Sequence, residues 1–192
     1  ACGFAYVSSC NTFATIEADN IPTTYYYGPC GWRTAFNNRN LGSNLTSLDL
    51  TWGESTTWES CDNNIMDSKI YYRVYQTGGS PGGFQNLDLE LLTQTGSVYR
   101  TKTKRANPQI DLLANLQSFS NYTIEMYFES NVDTNLDNIG DAFLRQNNNG
   151  NNFKATFSTG AISSSNFSLS IINQQNVSCN GTNDGSAEVA IN

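Results

Sequence analysis

Apolar residues recur at every second position in short runs separated by turn residues, the pattern of half-buried strands. In residues 47–52, Leu48, Leu50 and Trp52 share one buried-looking face. In residues 69–75, Ile70, Tyr72 and Val74 alternate with Tyr71, Arg73 and Tyr75. A Gly-Gly-Ser-Pro-Gly-Gly turn at 78–83 follows, and then Leu87, Leu89 and Leu91 alternate with Asn86, Asp88 and Glu90, which together predict a hairpin. Residues 97–104 read as a further strand with Arg100, Lys102 and Lys104 on one side. Ile110, Leu112, Leu113 and Leu116 have helix-like spacing and predict one or two turns plugging one end of the core. A strong strand at 121–128 begins with Tyr122, where sandwich domains use a tyrosine corner to bond back to the preceding connection. Short strands at this spacing predict an all-β fold, an antiparallel β-sandwich of jelly-roll or Ig-like Greek-key type. The expected domains are a sandwich over 1–160, a Ser-rich linker over 161–166, and the truncated start of a second small β module over 167–192. Within that last segment, Asn183-Asp-Gly185 is a hairpin-turn signal.

Composition narrows the chemistry. The 192 residues carry a net charge of −7 and no histidine, with 14% charged and 12% aromatic residues. Without imidazole, Ser-His-Asp and Cys-His catalysis are excluded. An acidic chain is also a poor partner for nucleic acid, whose phosphates must be neutralised by Lys and Arg. No apolar run is long enough to span a membrane. The 26 asparagines, with abundant Ser and Thr, suit an exported β-rich surface. The start at Ala1 reads as a mature chain after removal of a signal peptide.

Five cysteines contain no CxxC, so structural disulfides in an oxidising compartment are expected. Cys2, Cys10, Cys30 and Cys61 allow three pairings, of which Cys2–Cys10 with Cys30–Cys61 is favoured because the first closes a short loop. Cys179 is left over; a partner beyond Asn192 is the expectation, and a free buried thiol the alternative.

Two stretches resemble known families. Val177-Ser-Cys-Asn-Gly-Thr-Asn-Asp-Gly-Ser-Ala-Glu-Val189 resembles the opening of the SprB repeat, found in tandem in very large gliding-motility adhesins of Bacteroidetes. The second half of that repeat, with its second Cys, is absent, which accounts for the odd Cys179. Residues 67–157, with their 69–75, 110–116, 121–127 and 152–157 segments, look like the N-terminal β domain of surface proteins exported by the type IX secretion system. The first 66 residues match no family motif. The resemblance implies a secreted protein of the bacterial cell surface, working in attachment and gliding motility. Its implied partners are surface polysaccharide or other cell-surface proteins, together with the secretion and motility machinery. It supplies no catalytic residue, and a non-enzymatic role is expected.

Four residue patterns could carry chemistry. Asp133, Asn135, Asp137, Ile139 and Asp141 occupy positions 1, 3, 5, 7 and 9 of an oxygen-ligand loop for calcium, the candidate cofactor. Asn138 replaces the usual Gly, and Leu144 stands where the bidentate Glu belongs, so an ordinary Asx-rich loop is the alternative. Trp58 and Trp32 are candidate glycan contacts, Trp58 being the one expected at the surface, although core packing is the default for large aromatics. Arg100, Lys102 and Lys104 could hold an acidic polysaccharide or protect an edge strand. Asp88 and Glu90, about 7 Å apart along a strand, have glycosidase-like spacing, but alternating acids on a solvent face are commoner. The competing functional expectation is thus a calcium-dependent or aromatic-platform carbohydrate-binding module.

Overall fold

A computed structural model describes residues 4–28, 31, 33–61, 63–162, 169–175 and 186–191. Thirteen strands occur among them: β1 Ala5–Ala18, β2 Ile21–Tyr26, β3 Arg39–Asn40, β4 Leu48–Ser60, β5 Asn64–Gln76, β6 Gln85–Thr95, β7 Tyr99–Ala106, β8 Ile110–Asp111, β9 Asn121–Asp133, β10 Ala142–Gln146, β11 Phe153–Ser158, β12 Leu169–Gln175 and β13 Ser186–Ile191. The chain divides into two compact units, Ala1–Ile162 and Ser163–Asn192. In the second, β12 and β13 pair antiparallel as a separate sheet.

The first unit is an all-β sandwich with mostly antiparallel pairing, in the order β2-β1-β4-β7-β6-β5-β9-β11-β3. β6 joins its two layers. Residues 85–89 of β6 pair with β5, while residues 90–95 pair with β7. The predicted hairpin is therefore present, with Ile70 opposite Leu87 and Ser68 opposite Leu89. Beyond Leu89 the strand changes partner, a bulge falls between Leu91 and Thr93, and Leu91 is exposed.

Alternation places Ile16, Leu48, Leu50, Ile70, Ile124, Met126 and Phe128 in one buried cluster with the Tyr27 and Phe36 rings. The segment 110–116 does contribute Leu112 and Leu113 to it, but as the two-residue β8 followed by turns rather than as a helix. The Leu112 amide bonds the Leu48 carbonyl, and β8 pairs with β4, so tertiary bonds override the helical spacing. Tyr122 acts as expected: its hydroxyl accepts the Gln117 amide at 2.8 Å.

A bulge sets which way β4 faces. Thr15 lies opposite Trp52 and Ile16 opposite Leu50, so Thr51 is the extra residue. One inserted residue exchanges the two faces of everything beyond it. Trp52 is thereby turned to the outer face, contrary to the pattern it forms with Leu48 and Leu50, and Arg105 lies over its ring at 5.0 Å. Gly53, Ser55, Thr57 and Glu59 turn inward instead. A Cβ on Gly53 would lie 2.1 Å from Ile70 Cδ1 on β5, so any side chain here must displace that methyl group.

Candidate functional site

The inversion of β4 produces two features, an aromatic outer face and a charged interior. On the outer face Tyr6 of β1 lies opposite Trp58 of β4, a cross-strand pair with nearly parallel rings 6.4 Å apart. Phe4 stacks beside Tyr6 at 6.1 Å and beside Tyr99 of β7 at 6.2 Å. The order Tyr99, Phe4, Tyr6, Trp58 forms a continuous ribbon of rings across three strands. All four remain open to solvent, with exposures of 62%, 44%, 48% and 37%. Backbone bonding anchors it, since Phe4 and Ser60 bond through main chain and the Ser60 hydroxyl. Further along the same face, Phe13, Trp52 and Glu54 line a shallow open hollow. Trp58 is thus exposed as expected, while Trp32 lies outside the described residues. Phe4, Tyr6 and Tyr99 were not legible as partners of Trp58, because only strand register brings them together.

The basic residues are elsewhere. β7 lies between β4 and β6 rather than at an edge, and Lys102 and Lys104 are 6% and 3% exposed. They point into the sandwich with Arg100, so this stripe neither guards an edge nor presents a polysaccharide surface. At its centre Glu59, 1% exposed, accepts from Arg100 through Oε1 at 2.5 Å and from the Ile65 amide through Oε2. Lys102 Nζ is 3.2 Å from the same Oε1. Lys104 Nζ donates to the Met66 carbonyl at 2.7 Å. Burial first, and then the charge of Lys102, lowers the Lys104 amine to about 8.

The oxygen-rich loop is organised by its own backbone. Asp133 Oδ1 accepts the amides of Asn135 and Leu136, and Oδ2 accepts that of Asn138. Asn135 accepts from Asp137, Asp137 from Ile139, and Asp141 from Thr134. The bonds of Asp133, Asn135 and Asp137 to the amides two residues on are successive Asx turns, and Asp141 closes the loop by reaching back to Thr134. Burial raises the Asp133 carboxyl, but the Asn138, Asn135, Leu136 and Asp137 amides outweigh it and hold the group below the ordinary carboxylate range. Ile139 is exposed. Among the described residues no three His, Cys, Asp or Glu side chains cluster.

No family model matches the chain, and neither the curated proteins nor the solved structures contain a match.

Asp88 and Glu90 both line one open hollow with Arg105, but each has its own cationic neighbour. Asp88 pairs with Lys69 at 3.1 Å, whereas Glu90 lies opposite Arg105 across the other sheet's ladder. Cys10, in β1, and Cys61, directly after β4, are each disulfide-bonded. Cys2, Cys30 and Cys179 lie outside the described residues, as do residues 177–185 of the SprB-like stretch. Among the described residues no helix is long and apolar enough to cross a membrane.

A second aromatic surface lies outside β5 and β9. Tyr71 and Tyr127 stack at 4.7 Å, Phe84 meets Tyr127 edge-on, and Arg73 covers Phe84 at 4.1 Å. Here the polar groups are engaged internally, with Arg73 on Glu125 and Arg145 on Glu129. The ribbon through Trp58 differs in leaving its rings open.

Proposed function

We propose that residues 1–162 form the ligand-contacting domain of a secreted, cell-surface adhesin, non-catalytic in itself, and that its ligand is carbohydrate of a surface polysaccharide. The observation that carries this reading is the exposed ribbon Tyr99, Phe4, Tyr6 and Trp58. A soluble domain gains nothing from four neighbouring exposed rings, and contiguous apolar surface of this kind marks an interaction site. Aromatic rings with polar neighbours suit the apolar faces of sugar rings, since they offer large contact area at little entropic cost. The roles in attachment and gliding motility rest on the SprB-like stretch, and export by type IX secretion on the resemblance of residues 67–157.

Binding of the purified chain to a glycan array and to insoluble polysaccharides tests the ligand class. Retention by at least one glycan is expected, with a loss of about tenfold in affinity in Tyr6→Ala and in Trp58→Ala, corresponding to about 1.4 kcal/mol each. A chelator should leave binding unchanged, because the proposed contact runs through the rings of Tyr99, Phe4, Tyr6 and Trp58 rather than through carboxylates. Absence of signal on every glycan, or retention undiminished in both variants, refutes the carbohydrate reading. An antibody against the domain should label intact source cells, and labelling only after lysis would refute surface display.

A further inference from the structure

The charged interior between β4, β5 and β7 holds an amine in contact with both a carboxamide and a carboxylate. Lys102 Nζ lies 2.6 Å from Asn64 Oδ1, 2.9 Å from the Ile65 carbonyl and 3.2 Å from Glu59 Oε1. This hydrogen bond holds the amine against the carboxamide, so that Nζ has only to swing from the oxygen's lone pair to the face of the carbonyl carbon to reach the roughly 3–3.5 Å of a near-attack arrangement. Each member is held from elsewhere. Arg100 and the Ile65 amide clamp the Glu59 carboxylate, and Asn64 is fixed at the first position of β5, opposite Asp133. The Asn64 amide nitrogen faces Met66 Sδ at 3.2 Å on the exposed side, so its nitrogen has an exit.

We propose that Lys102 and Asn64 condense into an intramolecular amide bond, with Glu59 as the proton carrier. Lys102 passes a proton to Glu59, and the amine lone pair attacks Asn64 Cγ, forming the Nζ–Cγ bond. Glu59 then delivers its proton to the departing Nδ2. The second proton shed by Nζ leaves with it as the Cγ–Nδ2 bond breaks. One ammonium ion departs, Glu59 ends as the carboxylate it began as, and nothing is oxidised or reduced.

The electrostatics favour the product. Arg100, Lys102 and Lys104 place three cationic side chains around one buried carboxylate, with Asp67 the next acid near Lys104. Unbalanced buried charge is costly, and condensation removes one cation from the interior. Burial, and then the charge of Lys102, lowers the neighbouring Lys104 amine to about 8. The bond would tie β7 of one layer to β5 of the other across 38 residues of sequence, a covalent clamp between the sheets. This inference does not depend on the carbohydrate reading.

Intact-mass measurement of the folded 192-residue chain, incubated until its mass is constant and then denatured and reduced, tests it. The expected mass is about 17 Da below that of the sequence, the loss of one ammonia. Tryptic digestion should yield a branched peptide joining Asn64 to Lys102, with no cleavage after Lys102. Lys102→Met and Glu59→Gln should both restore the full sequence mass. Full mass in the folded wild-type chain with an unlinked Lys102 peptide overturns the proposal. So does a loss of ammonia that persists in Lys102→Met or comes without the branched peptide, since a succinimide at another asparagine would give that result.

Discussion

Gly53 and Ile70 form a pair whose coupling can be worked out in advance. A Cβ at position 53 would meet Ile70 Cδ1 at 2.1 Å, whereas the next atoms, Ile70 Cγ1 and Leu89 Cδ2, lie at 3.5 and 3.7 Å, ordinary contact distances. Gly53→Ala must therefore displace one methyl group in a core where Ile70 is wholly buried. Overpacking of this kind costs about 1–3 kcal/mol. Against it stands the reduced backbone entropy of alanine, roughly 0.5–1 kcal/mol in its favour in a strand. A net loss of about 1–2 kcal/mol is expected in the wild-type background. Ile70→Val removes the clashing methyl and by itself costs about 0.5–1.5 kcal/mol. In the Ile70→Val background, Gly53→Ala should be neutral or stabilising, so the double-mutant cycle has a coupling of about 1–3 kcal/mol with the sign of mutual rescue. Urea unfolding with the disulfides intact measures all four species, and an unchanged m-value confirms that stability alone has moved. Additive losses would refute the reasoning, for they would mean that β4 does not approach β5 through position 53.

Three further outcomes follow from the same structure. Tyr122→Phe leaves the Gln117 amide without its acceptor and should cost about 1–3 kcal/mol in the same urea assay, with the fold retained; an unchanged midpoint would show that the corner bond carries no stability. Burial raises Glu125, but its bonds from Asn152 and Arg73 outweigh that and hold it below the ordinary range, as the loop amides do for Asp133. Carboxyls depressed in the folded state contribute stability that is full above their unfolded values and is lost as pH falls through the folded ones. The melting temperature should thus drop with acidification below about pH 4, and Asp133→Asn should flatten the drop; an unchanged profile in that variant would refute the role of the loop carboxylate. Lys104 is depressed to about 8, so between about pH 8 and its unfolded value the unfolded chain binds its proton more readily; the cost of burying the charged amine is full below about pH 8 and is relieved as pH rises toward that unfolded value. Lys104→Met should therefore have its largest advantage over wild type below about pH 8, and that advantage should shrink as pH rises from about 8 toward the unfolded lysine value; a constant difference across that range would contradict it.

The hydrophobic pattern by itself determined the all-β class, the hairpin of residues 69–91, the inward sides of Ile70, Tyr72, Leu48 and Leu50, and the return bond of Tyr122, because each depends on neighbours close in sequence and on the two-residue period of a strand. That period states which residues share a face and not which face is inside. One inserted residue at Thr51 reversed the rest of β4, sending Trp52 and Trp58 outward and Glu59 inward. The exchange of partners along β6 made β7 a central strand, and the lysines that look solvent-facing in sequence lie in the interior. The helix-like spacing at 110–116 likewise gave way to pairing with β4. Bulge position and strand order arise from contacts across the sandwich between residues far apart in the chain, and both the aromatic ribbon and the Glu59, Asn64 and Lys102 cluster exist only once those contacts are made.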